Sequence, residues 1–319
     1  MNLDPKRMDA IVKRQDPPRY GPQYQASIRA TRQEAPSRSR AAIVYSSRYG
    51  RGIHLLSRAE QWAAALASYH PKIVELQEQR MLHCWPAPHP AAGLDPVMGV
   101  SLPPLRGTVD VAERLGALSI HPWVTVPDPV DPHITHRRAY PYIGDLLLYL
   151  RDDSGAIYSV NWTVKRLAAA FDAPFGDRFA SAKRRYNTDL RHRIEEIYYA
   201  DAGIRTVRVV GEEIDRQLAA NLWYLWVRAE RPCALSEAAQ QMIVDALAYG
   251  MGQHSAPIST ISILSTTRGW DPQACMSVMY RAIWRRELRV DLYAPILPDY
   301  PLIPERRDVL VDYAHWFAP

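Results

Sequence analysis

The chain has 319 residues, 47% of them hydrophobic and 23% charged, with a formal charge of +5. That length predicts two domains, and the apolar share is ordinary for a globular chain. Three cysteines, Cys84, Cys233 and Cys275, form no CxxC pair. This argues against a disulfide scaffold or a zinc site and fits a reducing cytosol. The polar start MNLDPKRMDAIVKRQDPPRY is no signal peptide, and no run of about 18 apolar residues predicts a membrane span.

Residues 1–40 hold nine Lys or Arg against four Asp or Glu, an excess equal to the charge of the whole chain. This basic, Pro- and Gln-containing arm (including Arg38) is expected to be poorly ordered in isolation. It is able to lie on phosphates or to act as a solubilising tail. A catalytic domain is expected over 41–230. Ala41 to Tyr45 reads as a strand and Ser46 to Gly52 as a turn. Ser57 and Glu60 form a capping box, and Trp62, Ala65, Leu66 and Tyr69 recur at helical spacing up to His70-Pro71. The cap alone explains Glu60, whose side chain is expected to reach the Ser57 amide. Ile73, Val74 and Leu76 predict a strand ending in Gln77-Glu78-Gln79.

Residues 84–138 are dense in proline, which removes ladder donors and blocks helices. A long loop or insertion is expected, with one short helix near Val109–Leu118. His121, His133 and His136 lack metal-ligand spacing and read as surface histidines. Next comes the stretch on which the reading turns, Tyr142 to Leu167, YIGDLLLYLRDDSGAIYSVNWTVKRL. Two apolar runs flank Arg151-Asp152-Asp153-Ser154-Gly155, a hairpin turn. Such a hairpin brings Asp145 and Lys165 to neighbouring strand ends. A carboxylate and a lysine on buried strands are costly unless paired or holding a metal. Nucleases of the PD-(D/E)xK kind use this device; a surface Asp with a flanking Lys is the plainer alternative.

A helix is expected over Asp177–Ala200, with Phe179, Tyr186, Leu190, Ile194 and Ile197 on its buried face. Its basic residues, from Arg178 to Arg193, would look outward, onto water or DNA phosphates. Ile204–Val210 alternates as a strand, completing an αβββαβ order, the minimal restriction-endonuclease-like core. A helix opened by Gly211-Glu212-Glu213 follows, strongly apolar over Leu222–Val227, and Arg231-Pro232 marks the boundary of a second domain over 231–319. Three helices and the short strand DLYAP there suggest a winged helix. Arg281, Arg285 and Arg286 would line its DNA-reading helix; a protein-docking winged helix fits equally.

QEAPSRSR with IVYSSRYGRGIHLLSRAE, IVELQEQ, YIGDLLLY, SVNWTVK and RVVGEEIDRQLAANLWYLW together resemble TnsA, the endonuclease subunit of heteromeric cut-and-paste transposases of bacteria. The likeness covers most of residues 20 to 290. It implies cytoplasmic, Mg²⁺-dependent cutting of the 5′ strands of double-stranded DNA at transposon ends, with Mn²⁺ as a substitute. A TnsB-like transposase and a TnsC-like ATPase regulator would be its partners. By position, Glu60, Asp145 and Lys165 would form the active site. Asp145 would bridge metal, Glu60 would ligate it directly or through water, and Lys165 would orient the attacking water. Glu195 would pin Lys165, and Gln79 would support the site from outside. The resemblance departs at Thr163, where the family has a longer polar metal ligand, so that a hydroxyl or water must serve. A shift of four would put Asn161 in the lysine's place. A non-catalytic adaptor with a degenerate nuclease fold and a stand-alone restriction or repair nuclease are the rival readings.

Overall fold

The computed structural model describes residues 3–319 except 38, 95–101, 129, 132, 174–176 and 178. Arg38 and Arg178 therefore lie outside the described residues. The protein is mixed α/β. At its centre is a four-stranded sheet, ordered β3 (Ile73–Glu78), β6 (Leu146–Arg151), β7 (Ile157–Lys165) and β8 (Arg205–Val210). The first two pairings are antiparallel and β7–β8 is parallel. The parallel step requires a crossover, which α4 (Ala169–Asp172) and α5 (Ala182–Ala200) supply.

Strand β6 reads LLLYL because both of its faces are covered. Leu146, Leu148 and Leu150 join the cluster under α2 (Arg58–Tyr69) and α6 (Arg216–Ala229). Leu147 and Tyr149 join the cluster under α5 and α3 (Thr108–Arg114). Strand β7 divides its side chains differently. Val160, Trp162 and Val164 are buried in the first cluster. Ser159, Asn161 and Thr163 are buried on the α5 side, a polar stripe beneath a helix that ends at Lys165. The turn before β7 closes as expected: Asp152 Oδ1 accepts from the Ser154 and Ala156 amides at 2.9 Å, and Gly155 adopts φ +90°.

The N-terminal arm differs from its composition. Helix α1 (Pro5–Gln15), capped by Asp4, buries Met8 and Ile11 against Met81, Val124 and Tyr140. The chain then runs along β3, where Gly21 N–H donates to Glu75 at 2.7 Å and Ser27 N–H to the Gln79 carbonyl at 3.0 Å. A few apolar side chains and backbone donors outweigh the basic, Pro-rich composition. Strand β1 (Ala42–Ser46) pairs with β2 (Arg51–Leu55), which replaces the end of the expected turn. The Pro-rich stretch is more than a loop. It holds α3 and a hairpin, β4 (Trp123–Pro127) with β5 (Thr135–Ala139). His121 is buried, its Nε2 3.0 Å from Thr108 Oγ1, contrary to the surface reading; His133 and His136 are exposed.

Beyond Arg231, α7 (Glu237–Gly252) and α8 (Pro257–Arg268) pack on α9 (Pro272–Trp284), which packs on α6, and the hydrophobic cluster runs from the sheet into them. The expected strand at Asp291–Pro295 is absent; a single bridge joins Val290 to Pro304. Nor does α9 offer an open basic face. Arg281 binds the carbonyls of Ala229 and Arg231, and Arg286 pairs with Asp308 at 2.7 Å; only Arg285 is exposed. Apolar side chains on the other sides of α9 (Cys275, Val278, Met279, Ile283) hold it inside the bundle.

The segment α10 (Val309–Asp312) and α11 (Ala314–Phe317) returns to the sheet. Trp162 Nε1 donates to the Trp316 carbonyl at 2.9 Å, and the Trp162 ring lies 5.1 Å from that of Phe317. Truncating a buried indole of this kind costs about 3–5 kcal/mol. No helix among the described residues is long and apolar enough to cross a membrane.

Candidate functional site

The end of β3 sets the site. Gln79 has φ +50°, the left-handed region, at the junction between the β3 pairing and the Met81–Ile143 bridge. Holding a non-glycine residue there costs on the order of 1–3 kcal/mol, and such strain clusters at functional positions. The kink is fixed by the Gln79 N–H donating to the Asp145 carbonyl at 2.9 Å and by Gly144 N–H donating to the Arg80 carbonyl at 2.8 Å. It turns the Gln79 side chain to Glu60, whose Oε2 accepts from Nε2 at 2.9 Å. Glu60 Oε2 also accepts from the Leu56 amide at 2.8 Å, while Ser57 Oγ caps the Glu60 amide at 3.2 Å. The capping box is thus half formed, and the backbone amide that the carboxylate accepts from is that of Leu56, not that of Ser57.

Asp145 and Lys165 meet as the hairpin predicts. Lys165 Nζ lies 3.0 Å from Asp145 Oδ2, which also accepts from the Val164 amide at 2.7 Å. The pair is partly open to solvent, at 30% and 20% side-chain exposure. Lys165 Nζ donates in addition to the Val164 carbonyl and sits 5.9 Å from the Phe171 ring centre.

Glu195 is held by Asn161, whose Nδ2 donates to its Oε1 at 3.1 Å and to Thr206 Oγ1 at 3.3 Å. Asn161 thus positions Glu195, and Lys165 occupies the place beside Asp145. The pinning of Lys165 by Glu195 is replaced by that of Glu195 by Asn161. Gly144 makes the approach possible: a Cβ there would come 3.4 Å from Glu195 Oε1 and 3.3 Å from Leu82. Thr163 is buried two residues before Lys165 on the same strand face.

Electrostatics links these groups. Burial, then the charge of Asp145, raises the Glu60 carboxyl to about 7. Burial and the same charge raise Glu195. His192, which sequence reasoning missed, is buried with its ring 5.4 Å from Phe171. Burial, then Lys165, lowers it to about 4, so it is neutral near pH 7. Its signal was its place on α5, one turn before Glu195.

Among the described residues no group of three or more His, Cys, Asp or Glu is arranged as a ready metal cage. The available donors are nevertheless of the kind a hard cation takes. Among the described residues, Asp145 Oδ1 and Glu195 Oε2 accept no hydrogen bond, and one ammonium faces three carboxylates. No protein-family model and no curated protein matches the chain.

Proposed function

We propose that the protein is a Mg²⁺-dependent DNA endonuclease that hydrolyses a phosphodiester bond. It would work within a transposase assembly, on the 5′ strands of transposon ends, beside TnsB-like and TnsC-like partners. The observation that carries the reading is the contact of Lys165 with Asp145 at the ends of adjacent strands, with Glu60 electrostatically coupled to Asp145. The order α2, β3, β6, β7, α5, β8 agrees with a restriction-endonuclease-like core, and α7 to α9 supply the helices of a winged-helix-like unit.

In this reading Glu60 and Asp145 hold the cation, with Thr163 contributing directly or through water. A bound Mg²⁺ supplies Lewis acidity and a lowered water pKa. The protein's own contribution is positional. Lys165, fixed by Asp145 and the Val164 carbonyl, points a donor at the attacking water. Gln79 and the Leu56 amide hold one oxygen of Glu60 and leave the other outward. Nicking of transposon-end DNA with both partners present tests the assignment. Asp145→Ala is expected to abolish it, and undiminished nicking removes the site.

One observation favours a second reading, a non-catalytic DNA-binding adaptor: Lys165 already neutralises Asp145 Oδ2, and Thr163 is a short donor where a longer one is expected. Titration calorimetry with Mg²⁺ or Mn²⁺ separates the two, because an adaptor shows no binding that depends on Asp145.

A further inference from the structure

Helix α5 runs antiparallel to β7, since β8 follows it and pairs parallel to β7. Asn161 contacts Glu195, and farther along the strand Lys165 and His192 both approach the Phe171 ring. Lys165 lies four strand residues beyond Asn161, about 13 Å, which matches about nine residues of helix, so the start of α5, up to about Tyr186, overhangs the Lys165 end of the strand. Residues 182–192 rise about 15 Å, the length of about four stacked nucleotides.

The overhang is not part of the core. Lys183 shares a helix face with Leu190 and Ile194, at spacings of seven and eleven, yet Lys183 is exposed and the other two are buried. The face that packs on the sheet thus continues past the body, above the site. Residues 179–193 carry five Lys or Arg against one acid, Asp189. Lys183, Arg184 and Arg193 are exposed, and none enters an ion pair among the described residues. Phe179 is 95% exposed and Tyr186 61%, contrary to their expected burial.

Cations over a site that faces phosphodiesters fit a nucleic-acid backbone. The aromatic pair adds a condition. A paired duplex hides its base faces, whereas unpaired nucleotides present them for stacking. We propose that the exposed side of α5 from Lys183 to Arg193, with the turn before it, grips DNA beside the site, with Lys183, Arg184 and Arg193 on phosphates and with Phe179 and Tyr186 stacked on bases unpaired next to the cut. This rests on the endonuclease reading for its substrate. It goes further in assigning a preference for locally opened DNA and the side chains that set it.

The test is fluorescence anisotropy of the full chain in EDTA, with a fully paired duplex and the same duplex carrying a short unpaired bubble. The protein is expected to bind the bubble roughly tenfold more tightly. F179A/Y186A should bring the two affinities within about twofold while leaving the paired duplex unchanged. K183Q/R184Q/R193Q should weaken both and lower the salt slope by about 2.7. All five side chains are exposed, so loss of folding does not confound the result. Equal wild-type affinities, or unaltered binding by the charge variant, overturn the proposal. So does failure to bind either probe at low salt, which marks the face as a protein-docking surface. Nicking with Mg²⁺ is read separately. Asp145-dependent nicking without a bubble preference sinks this inference alone; a bubble preference with Asp145-independent nicking sinks the catalytic assignment and leaves the grip.

Discussion

Two acidic clusters meet near the end of β3, one on the strand itself and one reached through Gln79, and they are built on opposite rules. In the first, Arg51 is buried between Glu75 and Glu78, at 3.3 Å and 2.9 Å. Every carboxylate oxygen there has a partner: Gly21 N–H donates to Glu75 Oε2 at 2.7 Å and His54 N–H to Glu78 Oε1 at 3.0 Å. The Arg51 guanidinium also lies over the Tyr24 ring at 4.5 Å. In the second, Glu60, Asp145 and Glu195 share one lysine, and Asp145 and Glu195 each keep an oxygen without a donor among the described residues. The acids around Arg51 are saturated; the acids of the candidate site share a single lysine. That difference separates a staple from a cluster open to the proposed cation.

The comparison is broken most severely at Arg51. Arg51→Met leaves two buried carboxylates unpaired and is expected to cost about 3–5 kcal/mol, read as a lowered urea midpoint. Asp145→Asn should do the reverse. Stability should change by about 1 kcal/mol or less, because the pair is partly exposed, while Mg²⁺-dependent nicking falls by about 100-fold or more. Equal stability losses in the two variants would erase the distinction.

Glu60 sharpens it through pH. Its carboxyl is raised from the ordinary 4.5 to about 7, so the folded state keeps a proton that the unfolded chain releases. The associated stability is complete below about 4.5 and is lost as pH rises through about 7. Glu60→Gln should flatten this dependence and raise stability at pH 8 by on the order of 2 kcal/mol. Mg²⁺ affinity of the wild type should rise over the same interval, as the ligand ionises. The smallest effect is expected at Gln79→Gly. Relief of the left-handed backbone and loss of the bond to Glu60 are each about 1 kcal/mol, so thermal stability should barely move while nicking weakens.

Much of the site was legible before any coordinates. A turn of Asp, Ser and Gly between two apolar runs fixes a hairpin, and a hairpin fixes the ends that carry Asp145 and Lys165. The alternation of Ser159, Asn161 and Thr163 with Val160, Trp162 and Val164 is likewise written in the sequence. Buried polar groups need partners, but which partner was not legible: Glu195 was expected at Lys165, and the structure gives it to Asn161. The rest was decided by packing that composition does not record. Met8 and Ile11 suffice to dock an arm whose charge suggests disorder. Arg281 looked available on an isolated helix, but neighbouring carbonyls claim it. Phe179 and Tyr186 have the spacing of a buried face, but the body ends before it reaches them. Gln79 gives no local sign of its strained backbone, because the kink is imposed by the strand beside it.

The return of residues 309–317 to the sheet has a consequence for biosynthesis. Trp162 gets its acceptor, and Tyr158 its 3.0 Å bond to the Phe317 carbonyl, only after the ribosome has released more than 150 further residues. A nascent chain stalled short of that point has made Lys165 and Asp145 but has not sealed the reverse side of the strand that carries the lysine. The surroundings of that strand are thereby completed late, after the helices beyond Arg231 have been made.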